Sequence, residues 1–151
     1  MNDFNALNLP SLLLKAIHDS GYHQPTPIQA QAIPAALAGQ DLLLSAQTGS
    51  GKTAAFLLPI LSQLINAEDK KSKQIKALIL APTRELAQQI QTQVRKYGRE
   101  LKWLFSVALV GGADFRGQIQ ALRKGVQIVI ATPGRLLDHL RSGRLALDSV
   151  Q

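Results

Sequence analysis

Asp41-Leu42-Leu43-Leu44-Ser45-Ala46-Gln47-Thr48-Gly49-Ser50-Gly51-Lys52-Thr53 is the stretch on which everything else hangs. Its first half is a short apolar run of the kind that forms a buried strand, predicted over Asp41 to Ala46. Its second half follows the phosphate-loop pattern G-x-x-x-x-G-K-[ST], with Ala46 in place of the first glycine. A loop that wraps backbone N–H groups around phosphates needs residues that tolerate close approach and unusual φ, and Gly49 and Gly51 supply them. Lys52 is a point charge for the β- and γ-phosphates, and Thr53 offers a hydroxyl to Mg²⁺. Leu57, Ile60, Leu61, Leu64 and Ile65 continue at helical spacing, so the loop opens a helix whose N-terminal dipole faces the phosphates. The expected ligand of Ala46, Gln47, Thr48, Gly49, Ser50, Gly51, Lys52 and Thr53 is a nucleotide triphosphate.

The rest of the chain repeats this strand–loop–helix plan. Upstream, Leu9, Leu13, Ala16 and Ile17 mark a helix over 9–20, with Pro10 at its start and Gly21 after its end. Thr26 is placed to cap a second helix beginning at Pro27, which Pro34 should kink and Gly39 stop. Downstream of a solvated loop over 66–74, strands are predicted over 76–81, 105–110 and 126–131. A helix after the first of them places Leu86, Ile90, Val94, Tyr97 and Leu101 on one face. Further helices are predicted from about Asp114 to Lys124 and from about Leu136 to Gly143. Alternating apolar strands and helices define an α/β fold, a parallel sheet with helices on both faces and right-handed crossovers. Each unusual loop, at 46–53, 82–85, 111–114 and 132–135, follows the carboxyl end of a strand. Ligands of such folds bind at that edge, so all four are expected to open on it.

Composition narrows the partners. Seventeen Lys and Arg against ten Asp and Glu give the 151 residues a net charge of +7, which favours a polyanion such as nucleic acid. There is no cysteine, hence no disulfide or thiolate metal site, and His18, His23 and His139 show no paired-ligand spacing. The start of the chain lacks the pattern of a signal peptide, and no apolar run is long enough for a membrane span, so a cytoplasmic protein without a membrane partner is the expectation.

Several motifs, in order, resemble the first RecA-like domain of DEAD-box ATP-dependent RNA helicases, over about Phe4 to Val150. Gly21-Tyr22 with Pro25-Thr26-Pro27-Ile28-Gln29 resembles the Q motif, with Phe4 as its upstream aromatic. Ala46 to Thr53 resembles motif I, Pro82-Thr83-Arg84-Glu85-Leu86-Ala87 motif Ia, Gly111-Gly112 the glycine doublet, and Thr132-Pro133-Gly134-Arg135 motif Ib. The wording is most similar to the bacterial RhlE-like branch. The resemblance implies that Gln29 hydrogen-bonds the adenine edge, with Tyr22 and Phe4 packing against the base or bracing its pocket, so that the nucleotide is ATP with Mg²⁺. It further implies that Pro82, Thr83, Arg84, Gly111, Gly112 and Thr132 to Arg135 grip an RNA backbone without reading sequence. Thr83 and Thr132 read equally well as simple helix caps. On this plan residues 1–39 are a helical segment with the adenine-recognition motif, and 40–151 a partial RecA-like domain.

The Asp-Glu-Ala-Asp run that the resemblance leads one to expect is not in these residues. With it would come the aspartate that orders Mg²⁺ and the glutamate that polarises water. The Ser-Ala-Thr motif and the second RecA-like domain are also absent. The 151 residues are therefore expected to hold ATP without hydrolysing it, to lack the partner needed for closure, and to expose apolar edges that make them marginally stable or prone to aggregate. Two other readings stay open: a small-molecule kinase or another helicase of the same superfamily, and a naturally short nucleotide- or RNA-binding module without catalysis.

Overall fold

The structure is a computed structural model that describes residues 3–49, 51–69 and 72–151. Its contacts divide it into two compact units, one of residues up to 70 with 95–102, the other of 71–94 with 103–151.

The first unit is helical. Asp3 caps a short 3-10 helix, Phe4–Leu7, through a bond from the Ala6 amide. Helix α1, Ser11–Asp19, follows Pro10 and buries Leu13, Ala16 and Ile17, the stripe read from the sequence, with Leu9 buried just ahead of it. Helix α2, Pro27–Leu37, starts on a capping box: the Gln29 amide N–H donates to the Thr26 hydroxyl, and the Thr26 N–H to the Gln29 side chain. The helix runs one turn past Pro34, whose ring removes a donor but does not end it. Helix α3, Lys52–Asn66, packs against α2 and also carries an internal proline, Pro59. The segment 95–102 is tied to α1 through Lys15, which bonds both Asp19 and Glu100, and through Arg99, which donates to the Ala16 carbonyl and the Ser20 hydroxyl.

The strand predicted over Asp41 to Ala46 is not formed. These residues adopt no regular structure, and Leu43 is 99% exposed. An apolar run shows that a segment could be buried in a sheet. It does not supply the neighbour whose N–H and C=O groups complete the ladder, and without that neighbour extended backbone is not a strand.

The second unit is built on three parallel strands, β1 Ala77–Leu80, β2 Ser106–Leu109 and β3 Ile128–Ala131, in the order β1-β3-β2. The central strand is buried throughout, as its unbroken Ile-Val-Ile-Ala requires. The register is level: Leu80 and Leu109 both stand opposite Ala131. Helix α4, Arg84–Tyr97, follows β1; α5, Phe115–Lys124, follows β2; α6, Pro133–Arg141, follows β3. In α4 the expected face holds at Ile90, Val94 and Tyr97, but Leu86 is 37% exposed and Ala87 takes the buried place. Leu101 is buried beyond the end of that helix. No helix among the described residues is long and apolar enough to cross a membrane.

Candidate nucleotide and phosphate sites

In the first unit the phosphate loop meets the segment ahead of α2. Gly49 and Gly51 have φ of 84° and 85°, the left-handed region in which a side chain is strained. Gly51 is the N-cap of α3, so Lys52 and Thr53 form its first turn, both half-buried. Ala46, Gln47 and Thr48 lead into it; Ser50 lies outside the described residues.

Gln29 connects the two. Its side-chain oxygen accepts from the Thr26 N–H at 3.0 Å, and its Nε2 donates to the Gly51 carbonyl at 3.2 Å. The residue is 6% exposed. A Cβ at Gly51 would run into that amide, so glycine is required there twice over, for its φ and for its neighbour. A glutamine amide has two acceptor lone pairs and two donor hydrogens, and one of each is used here. One acceptor and one donor remain, side by side.

Phe4 is buried at 3% and braces the helices rather than offering a face. Tyr22 is exposed, and Lys96 sits on it, donating to its hydroxyl at 2.8 Å with the ammonium 4.4 Å from the ring centre. Tyr97 lies 6.5 Å from the same ring. Burial, with a smaller contribution from Tyr22, pushes the Tyr97 phenol up to about 12, so it stays neutral.

Among the described residues no group of three or more His, Cys, Asp or Glu could hold a metal ion. A lone threonine hydroxyl at a helix start suits Mg²⁺ only as an ion carried by phosphate and water oxygens.

In the second unit three loops leave the sheet at one level. The Ala81 N–H donates to the Ala131 carbonyl, and the Thr132 N–H to that of Leu109, so Pro82-Thr83, Gly111-Gly112 and Thr132-Pro133 begin side by side. Thr83 caps α4, its hydroxyl accepting from the Leu86 N–H at 3.2 Å. Thr132 does not cap α6 with its side chain, which points to the Leu109 carbonyl at 3.5 Å. Gly112 has φ of 77°, and a Cβ there would meet the Arg84 guanidinium; Arg135 Nη2 lies 4.0 Å from the corresponding point on Gly111. Two guanidiniums thus flank the doublet. Each leans on a carboxylate, Arg84 on Glu85 at 3.3 Å and Arg135 on Asp138 at 3.8 Å. The backbone bond of Glu85, then Arg84, holds its carboxyl below the usual range. Pro133 and Gly134 are exposed in the first turn of α6.

Behind these loops lies a buried polar group that motif reading missed. Gln118 donates from Nε2 to the Val110 carbonyl, and its oxygen meets His139 Nε2, both at 3.0 Å. The signal was present as periodicity: His139 falls three residues after Leu136 on the inward stripe of α6, where an apolar residue is the default.

A glycine loop opening a helix, and a level parallel sheet with three loops on its carboxyl edge, define an α/β phosphate-loop domain. The DEAD/DEAH box helicase model matches residues 26–151, and the chain belongs to that family. It is 48% identical over 147 residues to the ATP-dependent RNA helicase DeaD of Escherichia coli K12, spanning 97% of this chain and 23% of that protein. It is 45% identical to the DEAD-box ATP-dependent RNA helicase RhpA of Helicobacter pylori strain B128, over 94% of this chain and 28% of the relative. The crystal structure of the RNA-helicase Prp28 from Chaetomium thermophilum bound to ADP superposes with a TM-score of 0.89 at 47% identity, covering 99% of this chain and 37% of that one. The 151 residues therefore span about a quarter of the length of the curated relatives they match.

Proposed function

We propose that this chain is the ATP-holding and RNA-gripping part of a cytoplasmic DEAD-box ATP-dependent RNA helicase, in which ATP hydrolysis is coupled to local unwinding of RNA duplexes. Residues 1–39 serve as the adenine-reading segment and 40–151 as part of the first RecA-like domain.

The observation that carries the reading is the half-used amide of Gln29. Its bonds to the Thr26 N–H and the Gly51 carbonyl fix its orientation. The donor and acceptor left over match the adenine edge, which offers N7 as acceptor and N6–H as donor. Guanine presents O6 where adenine presents N6–H, so the same amide meets an acceptor with an acceptor. Phosphates rest on the Gly49–Gly51 backbone and the first turn of α3, with Lys52 as counter-charge and Thr53 as the protein's ligand to Mg²⁺. That ion, when bound, neutralises phosphate charge. The relative Prp28 bound to ADP supports the same ligand class.

RNA is held through its backbone by Arg84, the amides of Gly111 and Gly112, and the start of α6 at Thr132 to Arg135, with Pro82 and Thr83 shaping the first loop. Contacts of this kind position a strand without reading its bases. Closure on the strand requires the second RecA-like domain.

The test is nucleotide binding and turnover by the 151-residue chain. ATP binds, Lys52→Ala abolishes the binding, and added RNA elicits no hydrolysis, because no residue here can aim the water. Equal ATP affinity in Lys52→Ala would put the phosphates elsewhere.

A further inference from the structure

We infer that Gln118 and His139 are positioning residues for the phosphate-gripping edge: through them one neutral imidazole sets both the glycine doublet and Arg135. The inference rests on the RNA-backbone reading above for its function, but its geometry stands on its own.

Two routes run from His139 to the doublet. The first passes through Gln118. Its Nε2 must donate, because the Val110 carbonyl can only accept, so its oxygen faces His139 Nε2 as an acceptor. His139 therefore carries its proton on Nε2. Val110 immediately precedes Gly111, and its carbonyl fixes the peptide plane from which the doublet starts. The second route passes through Phe115, whose ring stacks on the imidazole at 4.5 Å with 18° between planes. Over the same ring lie the guanidiniums of Arg135, at 4.9 Å, and Arg144, at 5.1 Å. Arg135 Nη2 in turn lies 4.0 Å from where a Cβ on Gly111 would stand, which places its guanidinium beside the doublet.

The tautomer leaves Nδ1 as a bare lone pair, and Nδ1 is buried with no partner among the described residues. Protonation there would create a buried cation with nothing to accept its hydrogen. The charged neighbours are Arg135, Asp138 and Arg144; Gln118 and Phe115, from α5, carry none. Burial, then Arg135 and Arg144, hold the imidazole below its ordinary value, against the weaker pull of Asp138. The couple is thus built for the neutral form. What sets this histidine apart from a purely structural one is its link to the doublet through Gln118 and the Val110 carbonyl.

The experiment combines ¹⁵N NMR of the chain with anisotropy of a labelled oligouridylate. In the wild type the imidazole is the Nε2–H tautomer. His139→Phe keeps the stack and loses the donor. It shifts the Gly111 and Gly112 amides and weakens oligouridylate binding about tenfold, the scale of one or two lost hydrogen bonds. His139→Gln, which restores a donor at the position of Nε2, recovers most of both. Unchanged amide shifts of the central strand, Ile128 to Ala131, serve as the control for folding of the same unit. An Nδ1–H tautomer, or a folded His139→Phe chain with unmoved doublet amides and unchanged RNA affinity, overturns the inference. If His139→Phe does not fold, Gln118→Glu decides: a carboxylate still accepts from His139 but cannot donate to Val110, so the doublet amides must shift. If the wild type binds no oligouridylate, the RNA reading falls, and the doublet amides alone judge the couple.

Discussion

On the reading proposed above, Gln29 holds a structural and a recognition role together. Gln29→Glu separates them. A carboxylate still accepts from the Thr26 N–H, and an acidic residue suits the first turn of a helix, so α2 is preserved. What is lost is the donor to the Gly51 carbonyl and the donor left for adenine. The expected outcome is an unchanged helix signal with the preference for ATP over GTP reduced about tenfold, as one mismatched hydrogen bond implies; competition between the two nucleotides measures it. Gly112 allows a second separation. Gly112→Ala forces a side chain into a φ of 77° and against Arg84, so it costs about 1 kcal/mol or more of stability. It also turns Arg84 away from the doublet, and RNA affinity should fall while ATP affinity holds. At this scale the sequence was informative wherever residue type answers to a single demand. Glycines at positive φ and the helix start at Lys52 were legible. The bonds of Gln29 within the protein, the lysine resting on Tyr22 and the Gln118–His139 couple were not, because a polar side chain does not announce its partner.

The elements form where local chemistry and burial agree, and depart from expectation where they depend on a neighbour. Helix α2 was legible from Thr26 and Pro27 because a cap is a local event. Strand β3 was legible because its unbroken Ile-Val-Ile-Ala suits a centre strand, and the structure supplies a neighbour on each side. The run at 41–46 has the same apolar character and no ladder. Leu86 and Ala87 exchanged roles because helical spacing fixes a stripe only to within one position. Between α5 and α6, the buried His139 makes stability depend on pH. Its folded-state value lies below the ordinary 6.5, so between those two values the unfolded chain binds the proton and the folded chain does not. Stability is then lost as pH falls from about 6.5 toward the folded-state value. Above that window the histidine contributes no slope. Thermal midpoints measured across it should decline on acidification, and His139→Gln should flatten the decline. An equal slope in the variant would assign the effect to other groups.

At the scale of the whole molecule the two candidate sites fall in two compact units, each with a folding logic of its own. The helical unit holds the candidate nucleotide site: a capped helix, a glycine loop and the amide between them. The sheet unit presents three loops at one level because its strands end in register. Residues 41–46 do not share this economy. Leu43 is 99% and Leu42 41% exposed, just ahead of the phosphate loop, and a run of that kind is a nucleus for association. Leu43→Glu tests it. In the structure residue 43 is in open solvent, so a charge there changes stability by no more than about 0.5 kcal/mol, as for other surface substitutions. Aggregation should fall, because the apolar run is broken at its centre. If instead the segment is buried as a strand, as its sequence suggests, the carboxylate must be taken out of water without a partner and the chain destabilises by several kcal/mol. Unfolding midpoint and light scattering on the same samples distinguish the two. An unchanged midpoint with reduced scattering places 41–46 outside any core. A fall of many degrees means that the apolar run has found the neighbour its ladder requires.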